Sequence, residues 1–385
     1  QNRKIPICAY KKAFSDASLI KLNHKKVCIE VSNDSFKIYP VNKIAQSKPG
    51  YRRVKLKYDL KVDSILGIEK LGKNSFQYVG YKASNFGILY QISKRHTFKV
   101  PECAFAIPFH FYKQHIQGSE SGLLINQFIS GKGKIQSPDS LKRVLKNIRK
   151  AILSAPLDTV LLQSITQRVA RSKWTRMRFR SSTNAEDAEG FSGAGLYASK
   201  TGVLNDSLKT FEKAIKDVWA SLWSYEAYTE REYFNMDHRT VYMGILVHRS
   251  FPDEAVNGVA ITKNLYRPGT NGFVVNAQLG NENVVKPKPG NVSDQFICFP
   301  NNADPIFQNK NTVDIITQSS LNGDKLVMTE KEIQNLANQL ELIKRYFFDH
   351  FFMYHSYLDL GLDVDFKLEG KQRELYIKQV RIFND

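Results

Sequence analysis

Short apolar runs and longer helical periods alternate along the chain. Lys26-Val27-Cys28-Ile29-Glu30-Val31 and Phe36-Lys37-Ile38-Tyr39-Pro40-Val41 read as two strands, and Pro49-Gly50 marks a turn. The segment Tyr78 to Leu89 contains glycines that let the backbone turn closely before a helix. Val100-Pro101 leads into an apolar strand, Ala104 to Ile107. From about 109 to 172 the pattern is helical, with Leu141, Val144, Leu145, Ile148 and Ile152 at helical spacing. A strand, Met177 to Arg180, precedes a polar, Gly-rich loop that ends at Tyr197. Leu208, Phe211, Ile215, Val218, Trp219 and Leu222 share one face of an amphipathic helix and predict a core stripe. Strands follow at Val241 to Val247, Gly258 to Thr262 and Gly272 to Ala277. Thr329 and Glu332 form a capping box, opening a helix that turns Ile333, Leu336, Leu340 and Ile343 inward. Leu362 to Phe366 and Leu375 to Arg381 read as a terminal β-hairpin.

These elements fit a globular chain of two or three domains: 385 residues, of which 42% are apolar. No apolar run reaches the ~18–20 residues that span a bilayer. Gln at position 1 points to a removed start, with room upstream for a domain, a leader or a tag. The formal charge of +19 attracts phosphates and polyanions. The basic stretches Arg52 to Lys57, Lys132 to Lys150 and Arg168 to Arg180 read as solvated surface. Without a zinc-finger spacing or an aromatic ribonucleoprotein motif, nucleic acid is expected only as a nonspecific contact. Cys8, Cys28, Cys103 and Cys298 form no C-x-x-C pair and suit a reducing compartment, by default the cytoplasm. His96, His110, His115, His238, His350 and His355 show no zinc spacing and are read as structural or surface residues.

Two segments carry candidate chemistry. The loop Arg180 to Gly195 offers an arginine at a strand end, several hydroxyls and three glycines, Gly190, Gly193 and Gly195. Glycines let backbone N–H groups approach phosphate oxygens, and arginine presents a planar fork to them. By composition the loop is equally an ordinary surface turn. Asp363-Val364-Asp365 and Gln379-Val380-Arg381 each place two polar side chains on one strand face. If the strands pair, Asp365 and Gln379 offer two hard oxygens of the kind Mg²⁺ takes. An exposed hairpin edge with a salt bridge is the alternative.

The ordered set of motifs resembles the ATP-binding domain of the phosphoenolpyruvate synthase, pyruvate phosphate dikinase and glucan, water dikinase family, over roughly residues 70 to 385. Tyr78-Val79-Gly80-Tyr81-Lys82-Ala83-Ser84-Asn85-Phe86-Gly87 resembles the family's first motif, and Val100-Pro101 the strand after it. The Arg180 to Tyr197 loop resembles its R-S-S…E-D…G…G loop, with Gly193-Ala194-Gly195-Leu196-Tyr197 looking most like glucan, water dikinase. Val218 to Trp223, Gly244 to His248, Asp363 to Asp365 and Gln379 to Arg381 complete the series.

The resemblance implies an α+β (α/β) fold, an ATP-grasp-like pair of subdomains behind a small swivelling phosphohistidine-like domain. The implied division is 1–62, 63–240 and 241–385. The implied cofactors are ATP and Mg²⁺, and the implied catalytic set is Lys82, Arg180 and Arg381. Lys82 and Arg180 would bind the polyphosphate beside Ser181, Gly190, Gly193 and Gly195. The backbone near Leu246 to His248, Val247 included, would contact adenine. Asp365 and Gln379 would hold the metal, with Asp363 in support, and Arg381 would neutralise charge on the transferred phosphoryl group. The implied activity is ATP-dependent phosphoryl transfer to a carrier or acceptor: a glucan, a small acid or a protein.

The sequence also departs from the family. Phe14 to Ile20 lines up with the carrier-histidine motif, but Asp16 stands at the histidine position. That opens the alternative of an inactive regulatory or scaffold module, because a carboxylate makes a different phosphorylated intermediate from imidazole. Asp365 stands where many relatives have Glu. Gln278-Leu279-Gly280-Asn281-Glu282 resembles a G-L-G-E motif with one extra residue, and a pyruvate-binding barrel is absent from the chain.

Overall fold

The computed structural model describes residues 27–31, 36–40, 54–131, 137–186, 191, 193, 195–284, 287–300, 313–323, 325–351 and 356–383. Two units separate, residues 1–52 with residue 385, and residues 53–384. In the first, β1 (Val27–Val31) and β2 (Phe36–Pro40) pair antiparallel with Ile29 opposite Ile38. Cys8, Asp16, His24 and Pro49-Gly50 lie outside the described residues, as do Gly190 and His355.

The second unit holds two antiparallel sheets. One runs β3-β4-β7-β5-β6, from β3 (Leu66–Gly67), β4 (Phe105–Ile107), β5 (Arg176–Thr183), β6 (Ser199–Val203) and β7 (Met243–Arg249). The other runs β11-β10-β9-β8-β12-β13, from β8 (Glu254–Ile261), β9 (Phe273–Leu279), β10 (Asp294–Cys298), β11 (Val313–Thr317), β12 (Leu362–Glu369) and β13 (Glu374–Ile382). The helices are α1 (Phe76–Val79), α2 (Tyr81–Arg95), α3 (Phe109–Gln117), α4 (Glu120–Ser130), α5 (Pro138–Ser154), α6 (Thr159–Ala170), α7 (Phe211–Ala220), α8 (Tyr225–Tyr233) and α9 (Glu330–Phe351).

Each sheet has its own core. Met177 and Phe179 of β5 pack with Ile148, Ile165 and Trp219 from α5, α6 and α7. Val256, Phe273 and Phe366 pack with Ile333, Leu336, Leu340 and Ile343 of α9. Helix α2 serves both sides. Its Ile88, Leu89 and Ile92 join the six-stranded core, while Ala83 and Phe86 pack on Ala106 and Leu246 of the other sheet.

Local chemistry explains the boundaries. The helical stretch after 109 is four helices, because caps restart it: Ser137 before Pro138, and Asp158, whose carboxylate accepts from Val160 N and Leu161 N. The Thr329–Glu332 capping box forms in both directions, at 2.8 and 3.3 Å. Leu208 departs from the expected core stripe and is 78% exposed. Thr210 caps α7 two residues later, and Asp206 holds Leu208 N and Lys209 N in a turn, so Leu208 precedes the helical period. Leu222 follows α7 in a 3₁₀ turn and is buried. Among the described residues, no helix is long and apolar enough to cross a membrane.

Candidate functional site

Strand β5 supplies one wall of the site. Its Arg176-Met177-Arg178-Phe179-Arg180 run alternates, so Met177 and Phe179 enter the core while the three arginines line the other face. That face borders a cleft of about 870 Å³ between the two sheets. The opposite wall includes Glu254 of β8, Lys367 of β12 and Lys378 of β13, with His248 and Phe251 also lining the cleft.

The terminal hairpin has the register its sequence suggested. Asp363 lies opposite Arg381 and Asp365 opposite Gln379, with an irregularity after Asp365. The Asp365 carboxylate and the Gln379 carboxamide oxygen converge on Arg180. Arg180 Nη2 donates to Asp365 Oδ2 at 3.0 Å and to Gln379 Oε1, and its Nη1 donates to Lys378 O at 3.2 Å. Arg381 donates through Nε and Nη2 to Asp363 Oδ2, the first at 2.8 Å.

These charges set the two carboxyls in opposite directions. Burial opposes ionisation of Asp365, but Lys378, Arg180 and Arg381 outweigh it and hold the group below its usual range. Burial raises Asp363; Arg381 pulls it down, Asp365 repels it, and it stays raised. Among the described residues, no three His, Cys, Asp or Glu side chains cluster as a metal site.

Lys82 sits in the first turn of α2 and is buried. Its ammonium donates to Glu186 Oε1 at 2.8 Å and to Ser181 Oγ at 3.3 Å. Gly80 makes this approach feasible. It has φ +84°, and a Cβ there would meet Ser182 O at 2.2 Å. Ser182 Oγ in turn accepts from Ala83 N at 2.9 Å, tying α2 to β5. In the loop after β5, Thr183 Oγ1 accepts from Glu186 N, and Gly193 N donates to Glu186 O at 2.7 Å. Gly195 has φ +73°.

Val247 and His248 part ways. Val247 is fully buried in the core, between Phe105 and Phe179 in register. His248 lines the cleft. Its Nδ1 donates to Arg249 O at 2.6 Å, since a carbonyl only accepts, which leaves Nε2 an acceptor; that atom is buried without a hydrogen-bond partner. Burial, followed by Arg180, holds the imidazole well below its usual value, so it is neutral.

Several site residues were not singled out from sequence. Glu186 was visible only as part of the E-D pair in the loop motif. Arg178 stood in the basic run, and Lys367 and Lys378 flank the hairpin motifs by one or two positions. Lys367 pairs with Glu254.

The rifampicin phosphotransferase of Bacillus subtilis (strain 168) is 27% identical over 203 residues, 51% of this chain and 22% of that protein. A rifampicin phosphotransferase of Streptomyces sp is 26% identical over 188 residues, 48% of this chain and 20% of that protein. The phosphoenolpyruvate synthase of Aeropyrum pernix is 25% identical over 209 residues, 51% of this chain and 24% of that protein. The matched stretches thus cover only about a fifth to a quarter of these relatives. The fold is ATP-grasp-like, and the model of the pyruvate phosphate dikinase AMP/ATP-binding domain matches residues 76–384, so the chain belongs to that family.

Proposed function

We propose that this chain binds Mg·ATP in the cleft between its two sheets and passes a phosphoryl group to a carrier or acceptor. The observation that carries the reading is the convergence of Asp365 Oδ2 and Gln379 Oε1 on the Arg180 guanidinium. Two hard oxygens from neighbouring strands already meet at a cation, so the donor set fits a divalent ion completed by water and phosphate oxygens. Bound there, Mg²⁺ would neutralise charge on the phosphates. Lys82 and Arg180 bind the polyphosphate, with Ser181, Gly193 and Gly195 shaping the loop beside it. Arg381, held by Asp363, faces charge that develops on the phosphoryl group. The His248 Nε2 lone pair suits the exocyclic amine of adenine. The reading of residues 1–62 as a degenerate swivelling phosphohistidine-like domain, the subdomain division at 240/241 and a cytoplasmic location are part of the same proposal.

The test is titration calorimetry of Mg·ATP into the chain and into Lys82→Ala, with nucleotide analysis of the mixtures. Binding that the variant loses, with AMP formed, supports transfer. An acceptor panel of rifampicin, pyruvate and soluble glucan follows from the names of relatives and family. No binding to the parent chain would refute the reading. Asp16 at the carrier position motivates one alternative, an inert nucleotide-binding module. Binding without AMP, in the presence of every acceptor and of a histidine-bearing Asp16→His variant, would favour it.

A further inference from the structure

The basic run from Arg168 to Arg180 divides between two faces of the five-stranded sheet. Arg176, Arg178 and Arg180 line the cleft. Phe105, Val247 and Phe179 lie opposite one another across β4, β7 and β5, so they share the other face, against α5, α6 and α7. Arg168 lies over the Phe105 ring, 5.2 Å from its centroid, and so belongs to that helix face. A pocket of about 470 Å³ opens there, lined by Ile65, Cys103, Ser164, Arg168, Arg171 and Ser172 among others. It shares no lining residue with the cleft.

The pocket is built to hold positive charge. Ser164, Gln167, Arg168 and Arg171 recur at i, i+3, i+4 and i+7, one stripe of α6, while Leu161, Ile165 and Val169 fill the core. Neither guanidinium has an ion pair or hydrogen bond among the described residues. No Asp or Glu occurs from Thr159 to Arg180, and none lines the pocket. Phe105 holds the Arg168 guanidinium by its face, which leaves the N–H groups at its edge free to donate. Ser164 and Ser172 already donate to Val160 O and Val169 O, each at 2.8 Å, so the donors left for a ligand are the two guanidinium groups and the Gln167 amide. The dipole at the end of α6 favours basic side chains here, but it does not explain a walled pocket with two of them and no carboxylate.

We propose that this pocket binds a small anion with two neighbouring oxyanion groups, a dicarboxylate or a diphosphoryl compound, apart from the nucleotide cleft. Side chains three apart on a helix stand about 5–6 Å apart at Cβ, so each guanidinium fork takes one of the two groups. The volume lies within the range of roughly 300–1,000 Å³ for small-molecule sites. Cys103, a half-buried free thiol in the lining, gives the site its own reporter.

The chain is titrated with malonate and with methylenediphosphonate at fixed ionic strength, alone and saturated with the non-hydrolysable analogue AMP-PNP. Alkylation of Cys103 by the neutral reagent N-ethylmaleimide is followed by peptide mass spectrometry. At least one probe should slow it to a plateau, with AMP-PNP present or absent. Protection by malonate alone marks a dicarboxylate ligand, and protection by the phosphonate alone a diphosphoryl one. Arg168→Gln and Arg171→Gln should each raise the half-protecting concentration at least about tenfold. Arg171 is exposed, so its variant stays informative if Arg168→Gln, which loses the Phe105 contact, fails to fold. Lys150→Gln, an exposed cation on α5, should change nothing. Calorimetry of the same titrations supplies a second measurement, with the same dependence on Arg171 expected. Absence of protection by both probes would overturn the proposal, as would equal protection in the parent and Arg171→Gln, or protection that AMP-PNP abolishes.

Discussion

Arg249 on β7 grips Glu369 at the end of β12 through two parallel hydrogen bonds, Nη1 to Oε1 at 2.8 Å and Nη2 to Oε2 at 2.6 Å. The pair joins the five-stranded sheet to the six-stranded sheet beside the cleft. Glu102 accepts from the remaining Nε, and the rings of Phe251, Trp174 and Tyr376 lie 4.3 to 4.6 Å from the guanidinium. Burial opposes the Arg249 charge, but the two carboxylates more than offset it and its pKa is raised. Removing one partner leaves the other ion inside, which costs about 3–5 kcal/mol for a buried pair. Arg249→Met should therefore lower unfolding stability by about 3 kcal/mol in urea melts. Glu369→Gln should lose less, because Glu102 still holds the cation. A loss under 1 kcal/mol in Arg249→Met would show that the clasp does not hold the sheets.

Arg180 occupies the meeting point of Asp365 and Gln379, so the proposed metal binding there would require an exchange of partners. Asp365→Asn removes the only anionic oxygen of that pair. It should abolish the Mg²⁺-dependent gain in ATP affinity while keeping a weaker, metal-independent binding through Lys82 and Arg180. Hydrogen bonds to charged groups contribute about 1.5–3 kcal/mol, so the expected loss is roughly ten- to a hundredfold. Titrations with and without Mg²⁺ read it. An unchanged Mg²⁺ effect would remove Asp365 from the metal site.

The hairpin that carries this pair was legible from sequence, because a period of two fixes which side chains share a face and the two short strands lie almost adjacent. The Thr329–Glu332 cap was legible for the same reason, its spacing being local. The partners of Lys82 and Arg249 were not. Glu186 is 104 positions from Lys82, and Glu369 is 120 from Arg249, so each pair exists only once the sheets are assembled. The α7 stripe was extended one turn too far, because hydrophobic period alone did not register the Thr210 cap. Lys378 went unremarked beside Gln379, since nothing in one strand announces that a facing strand also brings a cation.

Lys378 gives the stability a distinctive pH dependence. Burial, then Lys367, pushes its ammonium down to about 7, with Arg180 adding and Asp365 and Glu254 opposing. The unfolded chain keeps the ordinary lysine value, so between about pH 7 and pH 10 it binds more protons than the folded chain at this group, and the group's contribution to stability rises with pH. Below pH 7 both states are protonated and the penalty on the folded state is complete. Lys378→Met should thus be more stable than the parent at pH 6, by about 1–2 kcal/mol, and the advantage should shrink toward pH 10. Urea melts across that range test it. An advantage that grew with pH would contradict the assignment.

Gly80 connects backbone conformation to the placement of Lys82. Its φ of +84° disfavours any side chain, and a Cβ would lie 2.2 Å from Ser182 O, a backbone atom of β5 that cannot swing aside. With ψ 166° as well, this backbone region is in practice open only to glycine and costs another residue roughly 1–3 kcal/mol. The clash adds to this unless α2 moves away from β5, and that movement would carry Lys82 with it, two residues on. Gly80→Ala should therefore lose more than about 2 kcal/mol of stability and most ATP affinity together. Gly195 offers the contrast: its φ is +73°, but nothing lies within 4 Å of an added Cβ. Gly195→Ala should show the smaller, purely conformational loss. Circular dichroism melts and calorimetry on both variants separate the two effects. Equal losses at the two glycines would mean that strain alone matters and that the contact between α2 and β5 does not position Lys82.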